Sequence, residues 1–388
     1  MEMHSNQTDR HLIAEFIGDQ EGPTLIAFGS IHGNEAAGAK ALQRVAETMR
    51  ADPPKLNGRV YFFRGNVRAM EKGVRFIDSD LNRHWTPENI IRNLPDTAIP
   101  PHISEDKEQA ELLQDLNPIL SSAKDEVYAL DLHSTSAEGV PFATVGDTLR
   151  NRAFAQKLPV TILLGIEEQL EGTLLEYLNN LGAVTLGYEG GQHYAESTLA
   201  VHEALTWRAM VNAGIVEESD ELRRFNDVLR TATKRPKILE VRYRHAITAA
   251  DEFKMLPGFN NFDPIRRSQL LAYDRNGPVL ADEKGLIIMP LYQKLGEDGF
   301  FIGREILPFW LWLSGVLRRL DLGNIMRYLP GVHRSEKDPD TFEIDTNVAR
   351  FFPLQVFHLL GFRKRRWHEN RLVVSRRKFD THSPFRKL

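Results

Sequence analysis

The sequence predicts an α/β protein in which a mostly parallel β-sheet is flanked by helices. Short apolar runs alternate along the chain with segments whose apolar residues recur at helical spacing. The apolar runs are nearly continuous, a pattern typical of strands that are buried on both faces. Strands that alternate with helices favour a parallel sheet, in which functional sites form at the carboxyl ends of the strands.

Five apolar runs in the first half of the chain predict the strands of this sheet. They are Thr24–Phe28, Arg59–Phe63, Val127–Leu132, Pro159–Leu164 and Ala183–Gly187. Three segments with helical spacing lie between them, namely Ala36–Met49, Glu105–Leu116 and Thr173–Asn180. The first strand ends at Gly29, so a loop separates it from the first helix.

The chain is long enough for more than one hydrophobic core, and its character changes twice. Short strand-like pieces interrupted by Pro and Gly predict a small β-rich domain. They are Ile238–Tyr243, Gly285–Met289 and Phe300–Ile302. We therefore predict an α/β domain at 1–230, a small β-rich domain at 231–305, and an aromatic and basic C-terminal extension at 306–388.

Charge and cysteine content narrow the class of protein. The net charge is −4, yet residues 304–388 contain 17 Lys and Arg against 9 Asp and Glu. The chain has no cysteine, which excludes thiolate metal sites and cysteine nucleophiles and is consistent with a reducing compartment. Met1–Arg10 is polar and unlike a signal peptide, so we expect a cytoplasmic protein. The most apolar window, Ile306–Val316, is about half the length that a membrane-spanning helix requires.

The segment Gly29–Glu35, GSIHGNE, directly follows the first predicted strand. His32 and Glu35 are three residues apart in a loop that leads into a helix, so their side chains can bind one cation from the same side. Zinc accepts such a nitrogen and oxygen pair, and a catalytic zinc site has a third protein ligand. Taken alone, the spacing also fits a turn histidine followed by a glutamate that stabilises the helix N-terminus.

His133 offers a third ligand in the segment Asp131–Ser134, DLHS, where another predicted strand ends. A histidine at that end of a parallel strand points to the same region as the loop after the first strand. Asp131 lies two residues earlier on the same face, where its carboxylate can orient a ligand. The alternative is a hydrogen-bonded histidine without a metal, which two converging strand ends make less favourable.

Two further segments supply polar groups for a substrate. Arg75–Arg83, RFIDSDLNR, contains arginines suited to a carboxylate or an oxyanion, together with the Asn82 amide; the alternative is a solvated charged loop. Gly187–Gly191, GYEGG, places Glu189 after a predicted strand, as a general base or as a turn carboxylate. Its flanking glycines would let the backbone approach a ligand closely.

Together, HGNE, RFIDSDLNR, DLHS and YEGG resemble, in order and approximate spacing, the succinylglutamate desuccinylase and aspartoacylase family, a branch of the zinc carboxypeptidase-like hydrolases. The resemblance covers roughly residues 20–305. It implies a zinc-carboxypeptidase-like fold and one Zn²⁺ per chain, with His32, Glu35 and His133 as ligands. It also implies that Glu189 is the catalytic base and later the acid. Contacts with the substrate would come from Arg75, Asn82 and Arg83.

Two positions depart from the family pattern. Aspartoacylases have an arginine about ten residues before the catalytic glutamate, where this chain has Asn179. They also have a tyrosine from the smaller domain, where this chain has Phe300 and Phe301 with Tyr292 nearby. Both departures argue against N-acetylaspartate itself as the substrate, and the acyl group and the amino acid stay open.

We expect a zinc-dependent amidohydrolase of the deacylase type, with residues 1–230 as the zinc hydrolase catalytic domain. Zinc-bound water, deprotonated by Glu189, would attack the amide carbonyl of an N-acyl amino acid or a similar small carboxylate-bearing substrate. Zinc and Arg75 would hold the oxyanion, while Arg83 with Asn82 would orient the carboxylate. The alternatives are a carboxypeptidase-like hydrolase acting on a peptide or cell-wall fragment, and a non-catalytic metal-binding or membrane-surface protein.

The C-terminal extension lies outside the family pattern. Its aromatic runs, Ile306–Leu313 and Phe351–Phe357, and its basic cluster Arg363–Trp367 predict apolar pieces packed on the catalytic body with solvated arginines. Weak contact with a membrane surface through these side chains is the alternative. No recognised motif accompanies the charge, so we expect no nucleic acid partner. The sequence leaves the oligomeric state unknown.

Overall fold

A computed structural model describes most of the chain. The described residues are 11–94, 97, 100–136, 139–193, 195–234, 237–293, 296–336, 338–345, 354–368 and 371–386. The predictions for Met1–Arg10, for Phe351–Pro353 and for the side chains of residues 364–367 lie outside this description.

Residues 12–246 form alternating strands and helices. The strands are β1 (Leu12–Ile17), β2 (Gln20–Gly29), β3 (Asn57–Arg64), β4 (Val127–Thr135), β5 (Phe142–Val145), β6 (Thr161–Leu164), β7 (Val184–Gln192) and β8 (Ile238–Ala246). The helices are α1 (Ala37–Ala51), α2 (Val67–Lys72), α3 (Pro87–Arg92), α4 (Ser104–Ser121), α5 (Leu149–Ala155), α6 (Leu174–Asn180), α7 (Glu196–Asn212) and α8 (Asp220–Thr233). All five predicted strands and all three predicted helices are present, and none begins more than two residues after its predicted start; β6 begins at Thr161 instead of the predicted Pro159.

These eight strands form one sheet in the order β1-β3-β2-β4-β7-β5-β6-β8. Five of the seven neighbouring pairs are parallel, and the antiparallel pairs are β1 with β3 and β5 with β7. The carboxyl ends of the adjacent strands β2, β4 and β7 therefore meet at one edge. The predicted α/β class, with a mostly parallel sheet flanked by helices, is confirmed.

Both faces of the central strands are buried, because successive side chains of a strand point to opposite faces. On β2, Leu25 and Ala27 belong to the apolar cluster that α1 and α7 cover. Ile26 and Phe28 belong to the cluster on the opposite face, which α4 and α6 cover. The near-continuous apolar run of this strand follows from that double burial.

Two strands extend further than their apolar runs predict. β4 continues past Leu132 to Thr135, and β7 continues past Gly187 to Gln192. His133 and Glu189 consequently lie near the ends of the paired strands β4 and β7. They are partners in the register of this parallel pair. The prediction that Glu189 follows its strand was wrong, because this residue lies within β7.

Residues 254–305 add short strands. They are β9 (Lys254–Met255), β10 (Pro264–Ile265), β11 (Leu270–Asp274), β12 (Gly277–Leu280), β13 (Gly285–Ile288) and β14 (Asp298–Glu305). β14, β13 and β10 continue the main sheet beyond β8 through antiparallel pairs, which brings it to eleven strands. β9, β11 and β12 form a separate three-stranded sheet. The region is β-rich, and its division from the catalytic domain at residue 231 stays a prediction.

The C-terminal region has regular structure of its own. Its elements are α9 (Pro308–Arg319), β15 (Val332–Arg334), β16 (Thr341–Asp345), α10 (Leu354–Leu359), β17 (Phe362–His368) and β18 (Arg371–Arg376). The four strands form an antiparallel sheet over a small apolar cluster that includes Phe342, Phe357 and Phe362. In the part of the chain that the structure describes, no helix combines the length and hydropathy needed to cross a bilayer.

The arginines of this region were predicted to be solvated, and for several of them this is wrong. Arg318 and Arg363 are buried and form ion pairs with Asp147 of the catalytic domain. Arg377 pairs with Glu168 through Nε at 2.7 Å from Oε1. The positive charge of the extension thus meets the negative charge of the preceding residues in internal contacts.

Candidate metal centre and substrate pocket

Three side chains converge where β2, β4 and β7 end. His32 and Glu35 lie in the loop between β2 and α1, and His133 lies near the end of β4. One ligand atom from each residue lies within 4.8 Å of the others. The loop holds this shape partly because Gly33 lets the α2 backbone approach: a Cβ on Gly33 would lie 2.3 Å from the Ala69 carbonyl carbon.

Both imidazoles turn the same ring atom towards Glu35. His32 Nδ1 lies 3.0 Å from Glu35 Oε1, and His133 Nδ1 lies 3.2 Å from Glu35 Oε2. The other ring nitrogens contact carboxylates, since His32 Nε2 lies 3.1 Å from Asp80 Oδ1 and His133 Nε2 lies 2.8 Å from Asp131 Oδ2. Carboxylates in this position orient metal-binding histidines and raise their basicity.

The donor set fits zinc. Two imidazole nitrogens and one carboxylate are a common catalytic zinc set, and they leave a coordination position for water or substrate. Burial would raise the pKa of the Glu35 carboxyl, but the neighbouring His32 and His133 outweigh it and hold that pKa well below its usual range. The carboxylate form that binds a cation is therefore the favoured one. Ser134 N–H also donates to Glu35 Oε2 at 3.0 Å.

A second group of His and Glu side chains lies outside the predicted site, and an arginine neutralises part of its negative charge. His11, Glu108 and Glu111 have ligand atoms within the same mutual distance as the first group. Arg68 donates to Glu108 at 2.7 Å and to Glu111 at 2.6 Å from two guanidinium nitrogens. This cluster is thus an ion-pair network between α2 and α4.

Glu189 faces the candidate metal centre from β7. It is buried, and its Oε2 has no hydrogen-bond partner among the residues that the structure describes. Burial raises the pKa of the Glu189 carboxyl to about 7, an effect that the positive charges of His133, His32 and Arg75 only partly offset. A carboxyl group with a pKa near neutrality and a free oxygen is suited to accepting and returning a proton.

The loop that carries Arg75 is fixed by one buried carboxylate of α4. Glu105 accepts hydrogen bonds from the backbone N–H groups of Ile77, Asp78 and Ser79 at 2.8, 3.1 and 3.2 Å. Arg75 then reaches the metal centre, where its guanidinium donates to Glu35 Oε1 at 3.3 Å and to Asp80 Oδ2 at 3.0 Å.

Asn82 and Arg83 line the same pocket but are already engaged by the protein. Asn82 Oδ1 accepts from the Leu174 N–H at 3.0 Å, and its Nδ2 lies 3.5 Å from His133 Nε2. Arg83 Nη2 lies 3.3 Å from Asp298 Oδ2, a carboxylate supplied by β14. The structure therefore brings all seven predicted site residues to one pocket, namely His32, Glu35, Arg75, Asn82, Arg83, His133 and Glu189.

Residues 21–212 match the family model described as the succinylglutamate desuccinylase/aspartoacylase catalytic domain. This match places residues 21–212 in the succinylglutamate desuccinylase/aspartoacylase family. Its members that match in sequence do so over short stretches. The aspartoacylase of Danio rerio is 34% identical over 123 residues, which cover 30% of this chain and 36% of that protein. A succinylglutamate desuccinylase of Pseudomonas paraeruginosa is 37% identical over 62 residues, which cover 16% of this chain and 19% of the relative.

Solved structures of the family share the fold over a longer part of the chain. Succinylglutamate desuccinylase from Vibrio parahaemolyticus has a TM-score of 0.54 and 18% identity, over 76% of this chain and 86% of that one. A succinylglutamate desuccinylase/aspartoacylase from Rhodobacter sphaeroides has a TM-score of 0.56 and 17% identity, over 76% and 88% of the two chains. At this identity the likeness concerns the fold.

The positions that depart from the family pattern lie apart from the metal centre, with one exception. Asn179 is buried, donates to the Ala183 carbonyl at 2.9 Å and accepts from Arg377 of the C-terminal region at 3.3 Å. Phe300 stacks on His245 with ring centroids 4.9 Å apart, and the Tyr292 hydroxyl contacts the Phe259 carbonyl at 2.9 Å. Phe301 alone of these lines the pocket.

The glycines around Glu189 make room for protein side chains, and Gly187 also lines the pocket, so the prediction that they let the backbone approach a ligand stays a prediction. A Cβ on Gly190 would lie 2.7 Å from the His202 ring, and one on Gly187 would lie 2.4 Å from Thr144 Oγ1. Gly190 of the YEGG motif therefore reflects close packing of β7 against α7, and Gly187, which precedes the motif, reflects close packing of β7 against β5.

Sequence reasoning missed several residues that line this pocket. Asp80 is part of the RFIDSDLNR segment but was given no role, although it contacts both His32 and Arg75. Thr144 and Glu167 carry no motif, and β5 and the segment after β6 bring them to the pocket. An acidic residue after the predicted strand Pro159–Leu164 was the only signal for Glu167.

Proposed function

We propose that the chain is a zinc-dependent amidohydrolase that removes the acyl group from an N-acyl amino acid or a similar small substrate with a carboxylate. One observation carries the proposal: the two histidines and Glu35 converge beside Glu189, whose buried carboxyl has an oxygen without a partner. Family membership supports the hydrolase class. We also expect a cytoplasmic location, which the absence of cysteine favours.

His32 Nδ1, Glu35 and His133 Nδ1 would hold the zinc ion. When bound, zinc acts as a Lewis acid that lowers the pKa of water towards neutrality and polarises a carbonyl group. Asp80 and Asp131 keep the two imidazoles oriented through their other ring nitrogens.

Glu189 accepts the proton of the attacking water and later returns it to the leaving amine. Its unpartnered Oε2 and its pKa near neutrality suit both transfers, because a base and an acid of similar strength are needed in turn. Register pairing of Glu189 with His133 sets its carboxyl beside the ligand set.

Arg75 and Arg83 would act on the substrate by charge and position. Arg75 lies against Glu35 and Asp80, so its guanidinium is fixed where negative charge develops on the carbonyl oxygen. Arg83 would orient the substrate carboxylate in exchange for its contact with Asp298, and Asn82 would hold a neighbouring oxygen.

The test is to purify the protein and measure its metal content together with hydrolysis of acetyl and succinyl derivatives of Asp and Glu and of short peptides. The assay is run with and without a chelator. We expect close to one zinc per chain and chelator-sensitive release of an amino acid. Bound zinc without hydrolysis of any of these compounds would support the metal site and exclude these compounds as substrates. Absence of both zinc binding and activity after zinc is supplied would overturn the proposal, and preference for peptides would favour a carboxypeptidase-like reaction.

A further inference from the structure

The pocket next to the metal centre is strongly acidic. Its described lining residues include seven carboxylates, namely Glu35, Asp80, Asp131, Glu167, Glu189, Glu297 and Asp298. They include two guanidiniums, and both are already paired with lining carboxylates, Arg75 with Asp80 and Arg83 with Asp298. Carboxylates outnumber these cations even after a divalent metal ion is added. A pocket with this balance favours a substrate that brings positive charge.

Glu167 is the carboxylate that is best placed to receive that charge. It is buried, and its Oε1 accepts a hydrogen bond from Thr144 Oγ1 at 2.9 Å. Its Oε2 has only a long contact of 3.5 Å with Thr173 Oγ1. Among the described residues, Glu167 takes part in none of the ion pairs, in contrast to Asp80 and Asp298 in the same pocket.

The position of Glu167 is fixed relative to Glu189. Thr144 pairs with Gly187 across the β5 and β7 ladder, and a Cβ on Gly187 would lie 3.8 Å from Glu167 Oε1. The Glu167 carboxylate therefore lies over Gly187, which is two residues before Glu189 on the same face of β7. Two residues of a strand span about 7 Å. That is a distance which one small molecule can bridge, with its amide at Glu189 and a second group at Glu167.

We propose that Glu167 is a specificity-determining residue that binds an ammonium group of the substrate, so that the preferred substrates are N-acylated diamino acids. The proposal rests on the proposed amide hydrolysis and names the substrate class for it. Burial raises the pKa of the Glu167 carboxyl, and the charge of Arg377 only partly offsets this effect. Arg377 itself is paired with Glu168 at 2.7 Å, so an ammonium group beside Glu167 would offset more of the cost of desolvation.

The test compares three Nα-acetyl amino acids whose side chains differ in charge. Acetylornithine ends in an ammonium group, acetylnorleucine has a methyl group in the same place, and acetylglutamate has a carboxylate. They are given to the zinc-loaded wild-type protein, to Glu167→Gln, which keeps an acceptor for Thr144, and to Glu171→Gln, a matched control at an exposed position. We expect kcat/KM of the wild type to be highest for acetylornithine. In Glu167→Gln this value should fall about tenfold to a hundredfold, the usual worth of a hydrogen bond to a charged group, with acetylnorleucine changed far less.

Calorimetric binding of free ornithine and norleucine to the same three proteins gives a second measurement that needs no turnover. Ornithine binding that is weakened in Glu167→Gln but not in Glu171→Gln supports the proposal even if every amide is inert, which would refute only the hydrolysis. Hydrolysis of all three amides with no dependence on Glu167 would refute the ammonium site and leave the hydrolysis intact. Preference of the wild type for acetylglutamate, or ornithine binding that is absent or equal in all three proteins, would also overturn the proposal.

Discussion

The carboxyl group of Glu189 owes its character to its surroundings. It lies within β7, buried beside His133, and one of its oxygens has no hydrogen-bond partner. An exposed glutamate would be ionised throughout the physiological range, whereas burial brings the pKa of this group to about 7. The same residue in a solvated turn, which the sequence alone also allowed, would have no such property.

Glu189→Gln removes the proton-accepting group but keeps its size. We expect zinc content to be unchanged, because none of the three ligands is altered, and kcat to fall about 100-fold or more. Metal analysis and steady-state kinetics check both statements, with Glu196→Gln on the exposed first turn of α7 as the control. A variant with near-normal kcat would exclude Glu189 from the chemistry.

His202 gives the fold a dependence on pH that is separate from catalysis. It is buried against Tyr188 at a ring distance of 5.7 Å, and burial lowers its pKa to about 3. Between about pH 3 and 6.5 the unfolded chain therefore binds a proton at this residue that the folded chain does not. The contribution is complete above about pH 6.5 and is lost as the pH falls.

From pH 7 to 5.5 this residue should cost the folded state about 1 kcal/mol. In a His202→Gln variant, urea unfolding should show a smaller loss of stability over the same interval than in the wild type, whatever the variant's stability at pH 7. Equal pH slopes for the two proteins would mean that His202 is as easily protonated in the folded state as in the unfolded one.

At the scale of elements, strand cores were predictable and strand ends were not. The apolar runs of β2, β4 and β7 mark segments buried on both faces, which depends only on local composition. β7 continues through Gly190, and this position is a glycine because the ring of His202, twelve residues later, occupies the space that a side chain at 190 would fill. In a sequence a glycine indicates a turn, whereas in a strand it can mark a position where another side chain packs closely. Only the tertiary contacts distinguish these two roles.

The candidate site divides in the same way. His32 and Glu35 share one loop, and the parallel sheet brings His133 and Glu189 to them, so local motifs and a topology rule sufficed. Three other pocket residues, Thr144, Glu167 and Asp298, come from segments without any motif. Their positions depend on where β5, β6 and β14 lie in the order of the main sheet.

The loop of residues 75–83 depends on a single side chain of α4. Glu105 accepts three backbone hydrogen bonds from this loop, and Glu105→Ala would leave those N–H groups without their acceptor. We expect kcat/KM to fall about 10- to 100-fold, since displacement of Arg75 by an ångström misplaces a charge needed in the reaction. Zinc binding should persist, because the ligands lie on other segments.

Kinetics and metal analysis of Glu105→Ala, beside Glu88→Ala in the exposed first turn of α3, make the comparison. Unchanged kcat/KM in Glu105→Ala would show that the loop keeps its shape without this carboxylate. Loss of zinc together with activity would show that the disturbance reaches beyond the loop.

At the scale of the whole molecule, the uneven charge of the sequence is resolved by contacts between distant segments. Arg318 and Arg363 from the C-terminal region meet Asp147, which follows β5. Arg377 meets Glu168, the neighbour of the pocket residue Glu167. The extension is therefore joined to the wall of the substrate pocket. Contact with a membrane surface stays a prediction, and it would have to come from exposed aromatic residues such as Phe309 and Trp312 on α9.

Arg318 is the side chain through which this junction should be tested. Its guanidinium is fully buried and donates to Asp147 Oδ1 at 3.1 Å and to the Asp147 carbonyl at 2.7 Å, and it also pairs with Asp380. Arg318→Leu removes the guanidinium partner of Asp380, whereas Asp147 keeps its pairs with Arg152 and Arg363. Removal of one member of a buried ion pair typically costs about 3–5 kcal/mol, and we expect a loss of about 3 kcal/mol here. Arg319→Leu changes the next residue, which is exposed, and should stay within about 0.5 kcal/mol of the wild type.

Urea unfolding is followed by fluorescence in a background that carries Trp85→Phe, Trp207→Phe and Trp367→Phe, so that the signal comes from Trp310 and Trp312 on α9. If the C-terminal region is held to the catalytic domain by this network, Arg318→Leu should shift the transition of α9 to lower urea concentration and Arg319→Leu should not. Equal midpoints for the two variants would mean that apolar contacts alone hold the region in place. The charge asymmetry of the sequence would then have no part in joining the extension to the rest of the chain.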